Sequence, residues 1–188
     1  MSYRLLLLSG SLRAGSTNSA VLRTAAEVAP AGTTAVIFDG LARLPHFNPD
    51  DDTDPLDPAV MQLRSAIGAA DALLISTPEY AGALPGSFKN LLDWVVGGVE
   101  ISHKPTAWIN VSSSSTRAAG AHAELRTVLG YVDADVVEAA CAHIPVGHGV
   151  VGPDGSITDP AIGVQVAATV RALVDHLGAV DEGDPADR

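Results

Sequence analysis

The sequence has a single cysteine, which excludes the class of small secreted domains that are stabilised by disulfides. It contains one cysteine, Cys141, so no disulfide can form within the chain. Disulfide frameworks are typical of secreted domains, and a chain without one favours a reducing compartment. We therefore expect a cytoplasmic protein. We also expect Cys141 to be a buried, inert thiol, because it falls within a predicted strand.

Basic residues are also scarce. The 188-residue chain has 11 Lys and Arg against 22 Asp and Glu, which gives a formal net charge of -11. Such a chain repels nucleic acid and anionic membrane surfaces, so we expect neither as a partner. No apolar run approaches the roughly 20 residues of a membrane-spanning helix. No Cys-x-x-Cys pair and no two histidines at i, i+4 spacing are present, so we expect no metal site.

Short apolar runs alternate with amphipathic segments, and this alternation predicts an α/β fold. We predict strands at residues 5–8, 34–38, 72–76, 105–111 and 136–144 and helices at 18–29, 59–70, 87–96, 118–131 and 159–177. The pattern is typical of a three-layer sandwich, in which a five-stranded parallel sheet carries helices on both faces. We expect one domain over residues 1–178 and a polar, fraying tail over 179–188.

In open sheets of this kind, ligands bind beyond the carboxyl ends of the strands. The loops after the first, third and fourth strands, at residues 9–18, 77–86 and 112–119, should therefore line a site. The first loop enters a helix, whose leading amide groups and partial positive charge favour an anion. It has no acidic residue and offers the side chains of Ser9, Ser11, Arg13, Ser16, Thr17 and Asn18.

We interpret the first loop as a site for a phosphate monoester, with Asn18 available as the N-cap of the helix. An ordinary hydrophilic loop before a capped helix is the alternative interpretation. The loop lacks the lysine of a P-loop, and Ser11 replaces the middle glycine of the Gly-x-Gly-x-x-Gly dinucleotide fingerprint. A mononucleotide is therefore favoured over a dinucleotide.

Two motifs together resemble the NADPH-dependent FMN reductase family. The first is Ser9-Gly10-Ser11-Leu12-Arg13 with Ser16 and Asn18, and the second is Thr77-Pro78-Glu79-Tyr80 followed by Pro85-Gly86-Ser87-Phe88-Lys89-Asn90 and Asp93-Trp94. The resemblance extends over residues 3–177. It implies a flavodoxin-like fold, bound FMN, and hydride transfer from NADPH or NADH through the flavin to a quinone, azo, metal-ion or free-flavin acceptor. It also implies a homodimer or homotetramer.

The resemblance implies that Pro78, Glu79 and Tyr80 lie against the flavin ring. We expect the backbone N–H groups of Glu79 and Tyr80 to be free to donate there. The family usually has asparagine after this tyrosine, whereas this chain has Ala81, a departure that could open the pocket or alter substrate preference. We therefore include Ala81 among the cofactor-binding residues.

The third loop has two open interpretations. The hydroxyls of Ser112, Ser113 and Ser114 could donate to the flavin carbonyls, where the family typically has a glycine-rich turn. Alternatively, the segment is a serine turn in which Ser115 or Thr116 caps the next helix. Lys89, Asn90, Asp93 and Trp94 are expected to have structural roles instead.

A flavodoxin-type electron carrier with a protein redox partner is the alternative function, because an acidic surface could steer such a protein to basic partners. Arg13 and the Pro78-Glu79-Tyr80 motif favour the enzyme. We expect no catalytic side chain, since a flavin itself carries the chemistry. The partner of the enzyme would be a small-molecule electron acceptor.

Overall fold

The computed structural model describes residues 2–114, 116–147 and 149–183. For residues 181–183 it describes the backbone alone. Its sheet contains β1 (Tyr3–Ser9), β2 (Thr33–Ile37), β3 (Ala72–Ser76), β4 (Pro105–Asn110), β5 (Asp135–Val136) and β6 (Ala142–His143). The strand order is β2-β1-β3-β4-β5, every pairing is parallel, and β6 also pairs with β4. The predicted parallel sheet is confirmed.

Helices cover both faces of this sheet. They are α1 (Thr17–Glu27), α2 (Pro58–Gly68), α3 (Gly86–Trp94), α4 (Ala119–Tyr131) and α5 (Pro160–Gly183). Because side chains alternate along a strand, Leu5 and Leu7 of β1 pack with α1 and α5, while Leu6 and Leu8 pack with α2, α3 and α4. All four leucines are 2% exposed or less. The uninterrupted leucine run is thus the signature of a strand covered on both sides.

The prediction of one fifth strand at 136–144 is wrong. The chain pairs with β4 through β5, turns at the 3₁₀ segment Glu138–Ala140, and pairs with β4 again through β6. The Glu138 carboxylate turns outward to Arg126 on α4, and the following alanines have low strand propensity. Cys141 therefore lies beside β6 and not within a strand, and burial raises the pKa of its thiol to about 11.

All five helices differ from the predicted bounds at one or both ends, and the largest difference is at the carboxyl end of α5. α5 continues to Gly183, so residues 179–183 are helical where a fraying tail was expected, and residues 184–188 lie outside the described part of the chain. α1 begins one residue earlier than predicted, at Thr17. Within the described residues, no helix is long and apolar enough to cross a membrane.

The long loop between β2 and α2 is fastened to α3 by two side chains. Asn90 Oδ1 accepts a hydrogen bond from the Phe47 amide at 2.7 Å. Asn90 Nδ2 and Trp94 Nε1 both donate to the Pro45 carbonyl oxygen at 2.8 Å. The Phe47 ring lies edge-on to the Trp94 ring at 5.0 Å. Asn90 and Trp94 therefore have the structural role that the sequence predicted.

We expect Asn90→Ala to lower the free energy of unfolding by about 2–3 kcal/mol, because it removes two hydrogen bonds that satisfy loop backbone groups. Urea denaturation measures this loss. Arg43→Ala is the control, since it removes an exposed ion pair with Asp39 in the same part of the chain and should cost less than about 1 kcal/mol. Equal losses in the two variants would contradict the fastening role of Asn90.

Candidate functional site

A cavity of about 600 Å³ opens at the carboxyl ends of β1, β3 and β4. Its volume lies within the range of about 300–1,000 Å³ that is common for small-molecule sites. The predicted site residues that line it are Ser11, Arg13, Ser16, Thr17, Asn18, Pro78, Glu79, Tyr80, Ser112 and Ser113. Ser9, Ala81 and Ser114 do not line it. The three predicted loops thus meet at one place.

A second cavity, of about 700 Å³, lies at the amino ends of the strands, beside Asp71, His103 and Lys104. Its lysine is already engaged, because Lys104 Nζ donates to the Ala70 carbonyl oxygen. Burial lowers the pKa of Lys104 in spite of the nearby Asp71 carboxylate. The carboxyl-end cavity is therefore the better candidate, although it is smaller.

The amino terminus of α1 faces the carboxyl-end cavity without a cap. The N-cap residue is Ser16, which makes no side-chain hydrogen bond to the helix, and the first turn has no acidic residue. Among the described residues, the amide N–H groups of Thr17, Asn18 and Ser19 have no acceptor. Free amides at the positive end of a helix dipole form a site for an anion.

The prediction that Asn18 caps α1 is wrong, because Asn18 lies inside the first turn. Its side chain is 5% exposed, and its Oδ1 is 2.9 Å from Ser76 Oγ at the end of β3. Ser9 is also engaged within the scaffold, since its hydroxyl lies 2.9 Å from Ser19 Oγ and accepts from the Ser11 amide. These contacts fix the start of α1 against β1 and β3.

Two glycines allow the backbone conformation of the first loop. A Cβ on Gly10 would lie 2.1 Å from Thr77 Oγ1, so only glycine allows the first and second loops to approach this closely. Gly15 has φ of +69°, in the left-handed region that glycine tolerates. Between them, Arg13 is exposed, and its guanidinium has no hydrogen bond or ion pair within the described residues. The loop therefore presents a free cation beside the uncapped helix.

The second loop ends in a tight two-residue turn. The Tyr80 amide donates to the Ala83 carbonyl oxygen at 3.0 Å, and the Ala83 amide donates back at 3.1 Å. Ala81 and Gly82 have φ of 53° and 79°, which are the signs of a type I′ turn. The expectation of a free Tyr80 amide is wrong, because the turn uses it. The Glu79 amide has no acceptor among the described residues.

Two carboxylates join the second loop to α4. A Glu79 side-chain oxygen accepts from the Ala121 amide at 3.1 Å, in the first turn of α4. The Glu124 carboxylate reaches back to the Leu84 amide at 2.6 Å. A Cβ on Gly120 would lie 2.2 Å from the Gly82 carbonyl oxygen. Glu79 thus both lines the cavity and satisfies an orphan amide of α4.

The third loop is organised by its own polar groups. Ser112 Oγ lies 2.8 Å from the carbonyl oxygens of Ser114 and Arg117, and Ser114 Oγ lies 3.0 Å from Thr116 Oγ1. The N-cap of α4 is Ala118, with φ of 60°. The alternative in which Thr116 caps this helix is therefore wrong, and Ser115 lies outside the described residues.

His122 of α4 is a buried polar residue beside the cavity-lining residues Glu79 and Ala118 that the sequence analysis did not single out. Its Nδ1 lies 2.7 Å from the Ala118 carbonyl oxygen, and its Nε2 is buried without a partner in the described part of the chain. Burial lowers the pKa of His122, although the hydrogen bond to Ala118 and the charge of Glu79 act in the opposite direction. The ring is therefore neutral and donates from Nδ1. A lone histidine in a predicted helix does not by itself indicate that its ring is buried and neutral.

The fold and the position of this cavity are typical of mononucleotide-binding α/β proteins, which bind anions at the amino termini of helices. The model of the NADPH-dependent FMN reductase family matches residues 3–149. The NAD(P)H-dependent FMN reductase of Pseudomonas aeruginosa is 39% identical over 132 residues, covering 69% of this chain and 71% of the relative. The quinone reductase of Escherichia coli is 33% identical over 133 residues, with coverage of 69% and 71%.

A solved structure agrees with these relatives. The flavoenzyme NAD(P)H:(acceptor) oxidoreductase FerB of Paracoccus denitrificans aligns with a TM-score of 0.81 and 30% identity, over 94% of this chain and 97% of its own. The chain belongs to the NADPH-dependent FMN reductase family. The predicted flavodoxin-like fold, the NAD(P)H-dependent oxidoreductase activity and the cofactors FMN and NAD(P)H are confirmed. The enzyme is thereby favoured over the electron carrier.

We expect Ala81→Asn to raise the free energy of unfolding by about 0.5–1 kcal/mol. An alanine held at positive φ is strained, whereas Asn-Gly is the preferred centre of a type I′ turn. Gly82→Ala at the neighbouring position should have the opposite sign, with a loss of about 1–2 kcal/mol. Thermal or urea denaturation measures both, and a destabilised Ala81→Asn variant would refute this description of the turn.

We expect His122 to make the protein less stable in acid. Because its folded pKa lies below the ordinary 6.5, the unfolded chain takes up a proton that the folded chain refuses as the pH falls below 6.5. The free energy of unfolding should then fall by up to about 1.4 kcal/mol per pH unit from this group alone.

His122→Gln should remove this contribution, so that its denaturation free energy depends less steeply on pH than that of the wild type. Urea denaturation at several pH values below 7.5 measures the slope. His46→Gln, which replaces an exposed histidine, is the control and should keep the wild-type slope. A His122→Gln variant with the wild-type slope would contradict the buried, neutral ring.

Proposed function

We propose that the chain binds FMN non-covalently with its phosphate at the amino terminus of α1, and that it reduces small quinone-type acceptors with NADPH or NADH. The observation that carries the proposal is the uncapped start of α1, where the amides of Thr17, Asn18 and Ser19 have no acceptor among the described residues. The free guanidinium of Arg13 adds a charged donor with a forked geometry.

The donor set at this end of the cavity fits a phosphate monoester. It combines amides, the hydroxyls of Ser11, Ser16 and Thr17, and one arginine, with no carboxylate in the loop. Glu79 lines the cavity and its carboxylate could repel a bound phosphate, but this carboxylate accepts a hydrogen bond from the Ala121 amide of α4. A dianion at this point would therefore meet donors without an acidic competitor.

At the other end of the cavity, Pro78, Glu79 and Tyr80 would lie along the flavin ring. Tyr80 is 50% exposed, so its ring is available to contact a planar ligand. The unpaired Glu79 amide could donate to a carbonyl of the ring. When bound, FMN supplies the group that accepts a hydride and passes it on, and the chain's part is to bind and orient.

The choice of acceptor rests on the relatives, since one is named an NAD(P)H-dependent FMN reductase and another a quinone reductase. An open cavity with an exposed tyrosine leaves room for a small planar acceptor beside the cofactor. The roles of Ala81, Ser112, Ser113 and Ser114 in binding remain predictions, as do the single domain, the cytoplasmic location and the homodimer or homotetramer. Exposed Val96 and Val99 after α3 offer apolar surface for such an assembly.

The purified protein should bind FMN, and Arg13→Ala should weaken that binding by about 1.5–3 kcal/mol, because a charge-assisted contact to phosphate is lost. Quenching of FMN fluorescence on titration gives the dissociation constant. Arg171→Ala replaces an exposed arginine of α5 that does not line the cavity, and it should leave the constant unchanged. An unchanged constant in Arg13→Ala would remove Arg13 from the site.

A further inference from the structure

The cavity carries a second arginine that phosphate binding by α1 leaves unused. Arg117 lines the cavity from the third loop, and Arg13 lines it from the first loop. Within the described residues its guanidinium has no hydrogen bond or ion pair. Four cations of the described chain are instead paired with carboxylates: Arg43 with Asp39, Arg64 with Asp52, Lys89 with Asp93 and Arg126 with Glu138. An exposed arginine without a carboxylate at a cavity is available for an anionic ligand.

The backbone of Arg117 is held in place although its side chain is not. The Arg117 carbonyl oxygen accepts from Ser112 Oγ at 2.8 Å and from Asn110 Nδ2 at 3.3 Å. The Arg117 amide donates to the Ser114 carbonyl oxygen at 3.1 Å. The next residue, Ala118, is the buried N-cap of α4. The backbone of Arg117, from which the side chain extends, is thus fixed at the rim of the cavity.

The charges around the cavity leave room for a second anion. Its charged lining residues, among those that the structure describes, are Arg13, Glu79 and Arg117. The Glu79 carboxylate is committed to the Ala121 amide. A chain of net charge -11 repels a polyanionic substrate, so entry of one needs local positive charge. With Arg13 beside the proposed FMN phosphate, Arg117 remains for another anionic group.

Resting on the proposed function, we propose that Arg117 binds a phosphate group of the nicotinamide dinucleotide that donates the hydride. NADH carries a pyrophosphate, and NADPH carries in addition a 2′-phosphate. The guanidinium of Arg117 matches either group through two parallel N–H donors. Arg117 therefore acts in substrate recognition and takes no part in holding FMN.

The test is calorimetric titration of FMN-loaded protein with the non-reacting products NADP⁺ and NAD⁺. Arg117→Ala should raise the dissociation constant of NADP⁺ by about 10- to 100-fold and leave that of FMN within twofold. A rise for NADP⁺ alone assigns Arg117 to the 2′-phosphate, and an equal rise for both nucleotides assigns it to the pyrophosphate. Arg117→Lys should lie between the wild type and Arg117→Ala, since it keeps the charge and loses the fork.

Both nucleotides binding Arg117→Ala within twofold of the wild type would overturn the proposal. So would a raised KM for an acidic quinone with unchanged nucleotide affinity, since Arg117 would then serve the acceptor. Arg171→Ala is the control for the loss of one exposed arginine. If the wild type fails to bind FMN, the proposed function fails by itself, and the same titrations on flavin-free protein still test Arg117.

Discussion

The amides of Thr17, Asn18 and Ser19 at the start of α1, which lies at the cavity, have no hydrogen-bond acceptor among the residues that the structure describes. Most helices satisfy such groups with a capping side chain, and an unsatisfied start is costly wherever water is displaced. Here Ser16 stands at the capping position without making the bond. The proposed site depends on this uncapped helix start, because a bound anion would accept the hydrogen bonds of its amides.

The surrounding contacts hold this end of α1 at the carboxyl ends of β1 and β3. Asn18 reaches Ser76 at the end of β3, and Gly10 lets the first loop lie against Thr77. Glu79 and Glu124 then join the second loop to α4, whose first residues follow the third loop. Loops from three strands are thus linked into one rim, although each is irregular by itself. A rim of this kind presents its donors at fixed positions, which a binding site requires.

Much of this arrangement could be predicted from the sequence, because it follows from local patterns. The leucine run of β1 predicts a strand covered on both faces, and the polar loops after three parallel strands predict that they line one cavity together. What failed depended on contacts between distant residues. The pairing of Glu138 with Arg126 favours the turn that splits the fifth strand, and the partner of Asn18 is 58 residues away. His122 became apparent only in the folded chain, where it is 8% exposed.

The contribution of the phosphate tests the central claim most directly. FMN and riboflavin have the same ring and differ by the phosphate, so their dissociation constants isolate the contact at α1. The account predicts that the protein binds FMN at least about 100-fold more tightly than riboflavin, with the difference shrinking as salt is raised. Equal affinity for the two compounds would show that the start of α1 does not hold the cofactor.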